Sequence, residues 1–226
     1  MWFLGDVHGA FTTYKWALQK MPLKGNRVGM DCSLQLGDMG VFREVDIETL
    51  KFLKPTDKFI AGNHDCPELC LRIPNCLGYG GYIPELEMFY IGGGYSIDVA
   101  SRTPGVTWWE GEENSYNELA RLIGMYADLK PKIIVSHECP SVIKSHAIGL
   151  GHPKWNMHSR TEDAMEQMFN AWQPEEWIHG HYHVRYEHQI NKTHFVGLDE
   201  FLYGATGRCC YEIPGLKWPE LKPTKN

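Results

Sequence analysis

Eight side chains of types that bind metals occur in five short segments of this 226-residue chain. In chain order they are Asp6, His8, Asp38, Asn63, His64, His137, His181 and His183. A mixture of carboxylate, amide and imidazole donors suits Mn²⁺, Fe²⁺ or Zn²⁺ better than Ca²⁺ or Mg²⁺ alone. A single aspartate or histidine of this kind is more often a turn or surface residue, so the ordered set, rather than any one member, indicates a metal site.

The spacing within the segments supports the same interpretation. In an extended segment, residues i and i+2 project to the same side, so Asp6 and His8 can reach one centre. The same holds for His181 and His183. A glycine also precedes the polar residue in four segments, where the backbone must turn tightly or approach an ion closely. These glycines are Gly5, Gly37, Gly62 and Gly180.

Short apolar runs precede the polar segments, and this pattern predicts strands that end where the candidate ligands begin. The predicted strands are Trp2–Leu4, Ser33–Leu36, Phe59–Ala61, Lys132–Val135 and Trp177–Ile178. Helical periodicity between them predicts helices at Phe11–Met21, Ile47–Leu53, from a cap at Asn114 or Ser115 to Leu129, and at Thr161–Trp172. Strands that alternate with helices are typical of an α/β fold. Ligands bind beyond the carboxyl ends of strands in such sheets, so we expect the five segments to converge on one rim.

The rest of the chain predicts few further elements. Tyr79–Leu86 and Met88–Ile91 are expected to be strands, and Arg185–Val196 is expected to form strands around a turn. Residues 141–156 have no clean period and predict a long loop with one short helix at most. Without repeats or a linker-like stretch, we expect one domain over residues 1–226, with a proline-rich surface tail from about residue 214.

The composition is that of an ordinary soluble protein, with 43% hydrophobic and 22% charged residues. No apolar run approaches the ~18 residues of a membrane span, and no secretory signal is recognised. Seven irregularly spaced cysteines fit reduced thiols, so we expect a cytoplasmic protein. The net charge of −6 argues against extended nucleic acid as a partner. The sequence leaves the oligomeric state open.

Five motifs together resemble those of the calcineurin-like metallophosphoesterases. They are Gly5-Asp6-Val7-His8-Gly9, Gly37-Asp38, Gly62-Asn63-His64-Asp65, Ser136-His137 and Gly180-His181-Tyr182-His183. The resemblance runs from residue 5 to residue 183. It implies a four-layer α/β/β/α sandwich with a dinuclear metal centre at the rim of the sheets. A further segment, Gly93-Gly94-Tyr95-Ser96-Ile97-Asp98 followed by Arg102 and Trp108-Trp109, is similar to one found in small bacterial and phage enzymes of this family.

The resemblance also implies a role for each candidate residue. The first metal would be held by Asp6, His8, Asp38 and His183. The second would be held by Asp38, Asn63, His137 and His181, so that Asp38 bridges the two. The cofactors expected are two divalent ions, Mn²⁺ first, with Fe²⁺ or Zn²⁺ as alternatives. A hydroxide bridging the metals would attack phosphorus, and His64 would protonate the leaving group as general acid.

The chain departs from the protein phosphatase branch of this family in its second motif. That branch continues as Gly-Asp-x-x-Asp-Arg-Gly, whereas Val41 and Phe42 occupy the second Asp and the Arg positions here. Because the missing arginine would bind phosphate, we expect Arg102 to replace it as a substrate-binding residue. The nearby pair Trp108-Trp109 is expected to pack, with stacking on a nucleobase as the alternative.

The resulting hypothesis is a metal-dependent phosphoesterase, a phosphatase or phosphodiesterase whose substrate is a small molecule, a nucleotide or a phosphoprotein. A nuclease of the same family is one alternative, although 22 basic against 28 acidic residues form no evident basic groove. A non-catalytic scaffold that keeps the fold is another. Scaffolds of this kind usually lose several ligands, whereas every ligand position is filled here.

Overall fold

The structure is a computed structural model that describes residues 1–23, 26–149, 159–202 and 207–219. Its strands are β1 (Trp2–Leu4), β2 (Met21–Leu23), β3 (Asn26–Val28), β4 (Ser33–Gln35), β5 (Asp57–Phe59), β6 (Gly80–Ile83), β7 (Met88–Ile91), β8 (Ile133–Ser136), β9 (Glu176–His179), β10 (Tyr186–Ile190), β11 (Thr193–Gly197) and β12 (Cys210–Glu212). Its α-helices are α1 (Phe11–Lys20), α2 (Glu44–Thr49), α3 (Pro67–Cys70), α4 (Tyr116–Leu129), α5 (Ser141–Ile148) and α6 (Arg160–Ala171).

Two mixed sheets carry the architecture. The first has the order β12-β1-β4-β5, in which β1, β4 and β5 are parallel and β12 is antiparallel to β1. The second has the order β10-β11-β9-β8-β7-β6, with β11, β9, β8 and β7 parallel and an antiparallel strand at each edge. Strands β2 and β3 form a separate hairpin. Each sheet therefore presents several parallel strands whose carboxyl ends lie along one edge.

The two sheets pack face to face through side chains that alternate along their strands. In β8, Ile133 and Val135 belong to the buried cluster between the sheets, together with Phe3 and Leu34 of the first sheet. Ile134 between them points to the opposite face, where it packs with the helices. Both faces of β8 are thus buried, which explains why the strand is a continuous apolar run.

Helices cover the outer face of each sheet. Three residues of α1 pack on the first sheet and are fully or almost fully buried: Tyr14, Ala17 and Leu18. The second sheet is covered by α4 and α6, through a cluster that includes Leu122, Tyr126, Met165 and Phe169. The order of layers is helix, sheet, sheet, helix, which confirms the four-layer α/β/β/α sandwich expected from the resemblance.

The element bounds differ from the sequence expectation where local polar groups decide them. The helix expected at Ile47 begins at Glu44, because the Asp46 carboxylate accepts hydrogen bonds from the backbone N–H groups of Phe42 and Arg43. It continues as a 3₁₀ turn at Leu50–Phe52. The third strand lies two residues earlier than expected, at Asp57–Phe59.

Proline explains another difference. The strand expected at Tyr79–Leu86 ends at Ile83, and Pro84 begins a 3₁₀ turn. Helix α5 starts directly after Pro140 and is the one short helix that the sequence analysis allowed in residues 141–156. Residues 150–158 and residues 220–226 of the tail lie outside the described residues.

Candidate metal centre

The candidate ligands lie in the loops that follow β1, β4, β5, β8 and β9, at the carboxyl ends of these strands. Because the strands are parallel within their sheets and the sheets pack face to face, the loops meet at one rim. The structure brings all eight sequence-predicted side chains together there: seven form two groups that share Asp38, and His64 lies just outside them.

The first group consists of Asp6, His8, Asp38 and His183, whose donor atoms all lie within 4.8 Å of one another. The Nε2 atom of His183 is 3.0 Å from Oδ2 of Asp6 and 3.0 Å from Nε2 of His8. Nε2 of His8 lies 3.8 Å from Oδ2 of both aspartates. Two imidazole nitrogens that face each other beside two carboxylates require a proton or a cation between them.

The second group is built from Asp38, His137 and His181, which also satisfy the 4.8 Å limit. Nε2 of His137 is 3.3 Å from Oδ1 of Asp38 and 2.8 Å from Oδ1 of Asn63. Nδ1 of His181 is 3.0 Å from the same amide oxygen. Asp38 thus turns Oδ2 toward the first group and Oδ1 toward the second.

Hydrogen bonds orient two of these ligands from behind. The amide nitrogen of Asn63 donates to Oγ of Ser96 at 2.9 Å, and Ser96 donates in turn to Glu112 at 2.6 Å, so the amide oxygen of Asn63 faces the site. Nδ1 of His137 lies 2.8 Å from the carbonyl oxygen of Leu36 and donates to it, which leaves Nε2 as the ligand atom. Ser96 lies in the segment Gly93-Gly94-Tyr95-Ser96-Ile97-Asp98 that the sequence analysis singled out, whereas Glu112 belongs to no motif.

The backbone is strained at the ligands themselves. His8, Asp38, His181 and His183 have φ of 49°, 56°, 68° and 55°, in the left-handed region that non-glycine residues seldom adopt. Such conformations persist only where the surrounding structure enforces them, and they concentrate at functional sites. A Cβ atom at Gly180 would lie 2.2 Å from Oδ1 of Asp6, so that position must be glycine for the two loops to meet.

Asp65, the last residue of the third motif, fixes the loop after β4 against the loop after β5. Its buried carboxylate accepts hydrogen bonds from the backbone N–H groups of Met39, Gly40, Val41 and Gly62, at 2.7–3.1 Å. Burial and the charge of a neighbouring aspartate raise its pKa, whereas these N–H groups act in the opposite direction. One carboxylate therefore joins the two loops that carry Asp38 and Asn63.

The two central carboxylates are fully or almost fully buried, with Asp6 0% and Asp38 1% exposed. Burial alone would raise their pKa values, but the surrounding imidazoles outweigh it. The charges of His137, His64 and His8 hold the pKa of Asp38 well below its usual range, and His183 does most to lower that of Asp6. Two buried carboxylates ringed by imidazoles form a donor set that fits a pair of divalent cations.

His64 lies just outside the ligand groups, and its backbone N–H donates to Oδ1 of Asp38 at 2.7 Å. The guanidinium of Arg102 contacts its ring, with Nη2 3.0 Å from Nδ1. Nε of Arg102 pairs with Asp98 at 2.7 Å, and its side chain is only 6% exposed. Burial and the charge of Arg102 lower the pKa of His64, whereas the charge of Asp38 raises it; the net effect is a lowered pKa.

The departures from the phosphatase pattern have structural counterparts. Val41 is fully buried in the core beside α1, so nothing at this position could orient His64. Phe42 stacks on Trp109, with ring centroids 5.8 Å apart and ring planes 5° from parallel. The aromatic ring of Trp109 is therefore engaged in packing, as expected.

Two glutamates that the sequence analysis missed face the histidines of the last motif. Oε2 of Glu138 is 3.3 Å from Nε2 of His181, and Oε2 of Glu200 is 3.4 Å from Nδ1 of His183. Burial raises the pKa of Glu138 to about 7. The position of Glu138 directly after His137 could have identified it from the sequence, whereas Glu200 belongs to no motif.

We predict that Asp65→Asn destabilises the protein by about 3 kcal/mol, because an amide nitrogen would face two of the N–H groups that now donate to carboxylate oxygens. Thermal denaturation measures the effect, and a Mn²⁺ titration should show weaker binding. The exposed Asp163→Asn serves as the matched control. Equal stability and affinity in the two variants would show that Asp65 does not organise the loops.

We predict that metal binding releases protons and strengthens as pH rises. Burial lowers the pKa of His137, but the charge and hydrogen bond of Asp38, with Asp6, raise it from 6.5 to about 10. The protonated ring stabilises the metal-free fold below pH 6.5, and this contribution is lost as pH rises toward 10. A cation must displace that proton.

Calorimetric titration with Mn²⁺ at pH 7, in buffers of different ionisation enthalpy, measures the release. We expect about one proton per binding event at the second group. An apparent enthalpy that does not depend on the buffer would contradict the prediction.

Comparisons with known proteins agree with the fold. A family model described as calcineurin-like phosphoesterase matches residues 1–185. The phosphopantetheinyl hydrolase from Mycobacterium tuberculosis is a solved structure with a similar fold, at a TM-score of 0.58 and 11% sequence identity, over 98% of this chain and 97% of that one. No curated protein matches the sequence. Among the described residues, no helix combines the length and apolar character needed to cross a membrane. The chain belongs to the calcineurin-like phosphoesterase family.

Proposed function

We propose that this protein is a metal-dependent phosphoesterase that hydrolyses phosphate esters at the rim of its two sheets. The observation that carries the proposal is the position of Asp38, whose Oδ2 and Oδ1 atoms lie 3.8 Å from His8 and 3.3 Å from His137. One carboxylate shared between two groups of ligand atoms can bridge a pair of neighbouring cations.

The first cation would be held by Asp6, His8, Asp38 and His183. The second would be held by Asp38, Asn63, His137 and His181. When bound, two divalent ions would polarise the phosphoryl oxygens and lower the pKa of a water molecule so that it can attack phosphorus. The four imidazoles favour Mn²⁺, Fe²⁺ or Zn²⁺ over Mg²⁺, and we propose Mn²⁺ as the working metal.

His64 and Arg102 would act on the substrate directly. Two of the three guanidinium nitrogens of Arg102 are already held, by Asp98 at 2.7 Å and by the carbonyl of Thr107 at 3.2 Å, which leaves Nη2 directed at His64. A phosphate placed between them would take hydrogen bonds from Arg102. Its negative charge would raise the pKa of His64, which could then protonate the leaving oxygen.

The substrate proposed is a phosphate ester of a small molecule, a nucleotide or a protein, cleaved by a single domain spanning residues 1–226 in the cytoplasm. The excess of acidic residues supports a compact ester over a long polyanion. A phosphopantetheinyl ester is worth testing because the structural neighbour bears that name.

The test is a Mn²⁺-supplemented hydrolysis panel of phosphomonoesters, phosphodiesters, dinucleotides, DNA and a phosphopantetheinyl ester. We expect turnover of at least one ester, nearly abolished by Asp38→Asn because both ligand groups lose a charged donor. His64→Ala should lower kcat by about 100-fold on alkyl esters and by much less on nitrophenyl esters, whose leaving group needs no proton. Wild-type rates in Asp38→Asn would mean that the activity arises elsewhere.

We predict that Arg102→Ala raises KM or lowers kcat for the same ester by about 10-fold or more, because a charged hydrogen bond to phosphate is lost. Arg102→Lys should recover part of the activity, since it keeps the charge but not the forked geometry. Arg121→Ala is the matched control, because that side chain is about half exposed and pairs with Glu118. Kinetics indistinguishable from the control would remove Arg102 from the site.

A further inference from the structure

Glu200 is held in the metal centre by the loop that follows β11. The backbone N–H of the next residue, Phe201, donates to the carbonyl oxygen of Asp6 at 2.8 Å, and its ring is fully buried in the core. On the other side, a Cβ atom at Gly5 would lie 2.1 Å from the carbonyl oxygen of Asp199. The glutamate is thus fixed against the loop that carries Asp6 and His8.

The carboxylate of Glu200 is largely buried and lies close to the imidazoles of His183 and His8. Its side chain is 10% exposed, and Oε2 is buried without a hydrogen-bond partner among the described residues. Oε2 lies 3.4 Å from Nδ1 of His183 and 3.9 Å from Nε2 of His8. A buried carboxylate oxygen without a donor is costly, so its position indicates an interaction that the occupied site completes.

The contact favours one tautomer of His183. If Nδ1 carries the proton and donates it to Glu200 after a small ring rotation, Nε2 keeps its lone pair and faces Asp6 at 3.0 Å. Metal-binding histidines commonly donate their second ring N–H to a carboxylate, which fixes the tautomer and the orientation of the ring. Glu200 itself does not belong to the group of mutually close donor atoms found among the described residues.

A second glutamate, Glu138, faces the ring of His181, but it faces Nε2, whereas Glu200 faces Nδ1 of His183. Oε2 of Glu138 is 3.3 Å from Nε2 of His181, while Nδ1 faces Asn63 at 3.0 Å. The other oxygen of Glu138 accepts hydrogen bonds from the hydroxyl of Tyr182 and the backbone N–H of Cys139. The glutamate is 3% exposed, so these contacts hold it rigidly.

We infer that Glu200 and Glu138 are positioning residues that determine which nitrogen each histidine of the last motif presents to the cations. Glu200 leaves Nε2 of His183 for the first cation, and Glu138 leaves Nδ1 of His181 for the second. The inference rests on the proposed metal-dependent function. Glu200 lies beyond residues 1–185, which the family model matches, so the family motifs alone do not supply it.

The test measures cation binding and tautomers rather than turnover alone. Mn²⁺ affinity is determined by calorimetry for the full-length wild type, Glu200→Ala, Glu200→Gln, Glu138→Ala and Glu138→Gln. The exposed Glu85→Ala is the control. The ¹⁵N shifts of the histidine rings are recorded in the Zn²⁺-loaded wild type and alanine variants, with His181 and His183 assigned by single substitutions.

We expect each alanine variant to lose 10- to 100-fold in affinity for one of two binding events, the usual effect of removing a carboxylate behind a ligating histidine. Each glutamine variant should bind more tightly than its alanine counterpart, because the amide oxygen still accepts the ring N–H. In the Zn²⁺-loaded wild type, His183 should be metal-bound through Nε2 and His181 through Nδ1.

Alanine variants that bind Mn²⁺ as tightly as Glu85→Ala would overturn the inference. So would equal losses in the glutamine and alanine variants, or ring shifts that show the opposite nitrogens bound to Zn²⁺. A wild-type protein that binds no divalent cation would instead refute the proposed function, which keeps the two failures distinct.

Discussion

The main energetic constraint on this structure is the burial of two carboxylates a few ångströms apart. Asp6 and Asp38 are removed from water at the junction of two sheets, where like charges repel and solvation is lost. The fold offsets this cost with imidazoles from three other loops, and with backbone conformations that would be unfavourable elsewhere. Much of the rim therefore holds two negative charges in a position where a cation could bind. Without a cation, the fold bears the free-energy cost of burying them.

The sequence identified the candidate ligands because each follows a short apolar strand and belongs to a motif of fixed spacing. Asp38 and His137 could be placed at strand ends from the sequence alone, and the four-layer sandwich followed from the resemblance. Most of the supporting residues could not be found in this way. Glu112 and Glu200 act through contacts between separate loops, and no local pattern marks a side chain whose role depends on tertiary packing.

This chain differs from the phosphatase branch in the residues that follow the second motif and in the origin of the charged group beside His64. Where the phosphatase branch has an aspartate and an arginine near the second motif, this chain buries Val41 and stacks Phe42 on Trp109. A guanidinium from a different loop, that of Arg102, reaches His64 instead. The charged group beside His64 thus comes from a loop far along the chain from the second motif.

The antiparallel pairing of β12 with β1 has a consequence for biosynthesis. Cys210 lies opposite Leu4, and the segment between β11 and β12 carries Glu200 to the rim. A nascent chain on the ribosome therefore cannot complete the edge of its first sheet until more than two hundred residues have been translated and the last strand has left the exit tunnel. Contacts of such long sequence separation form late, so we expect the candidate centre to be complete only after β12 has paired with β1.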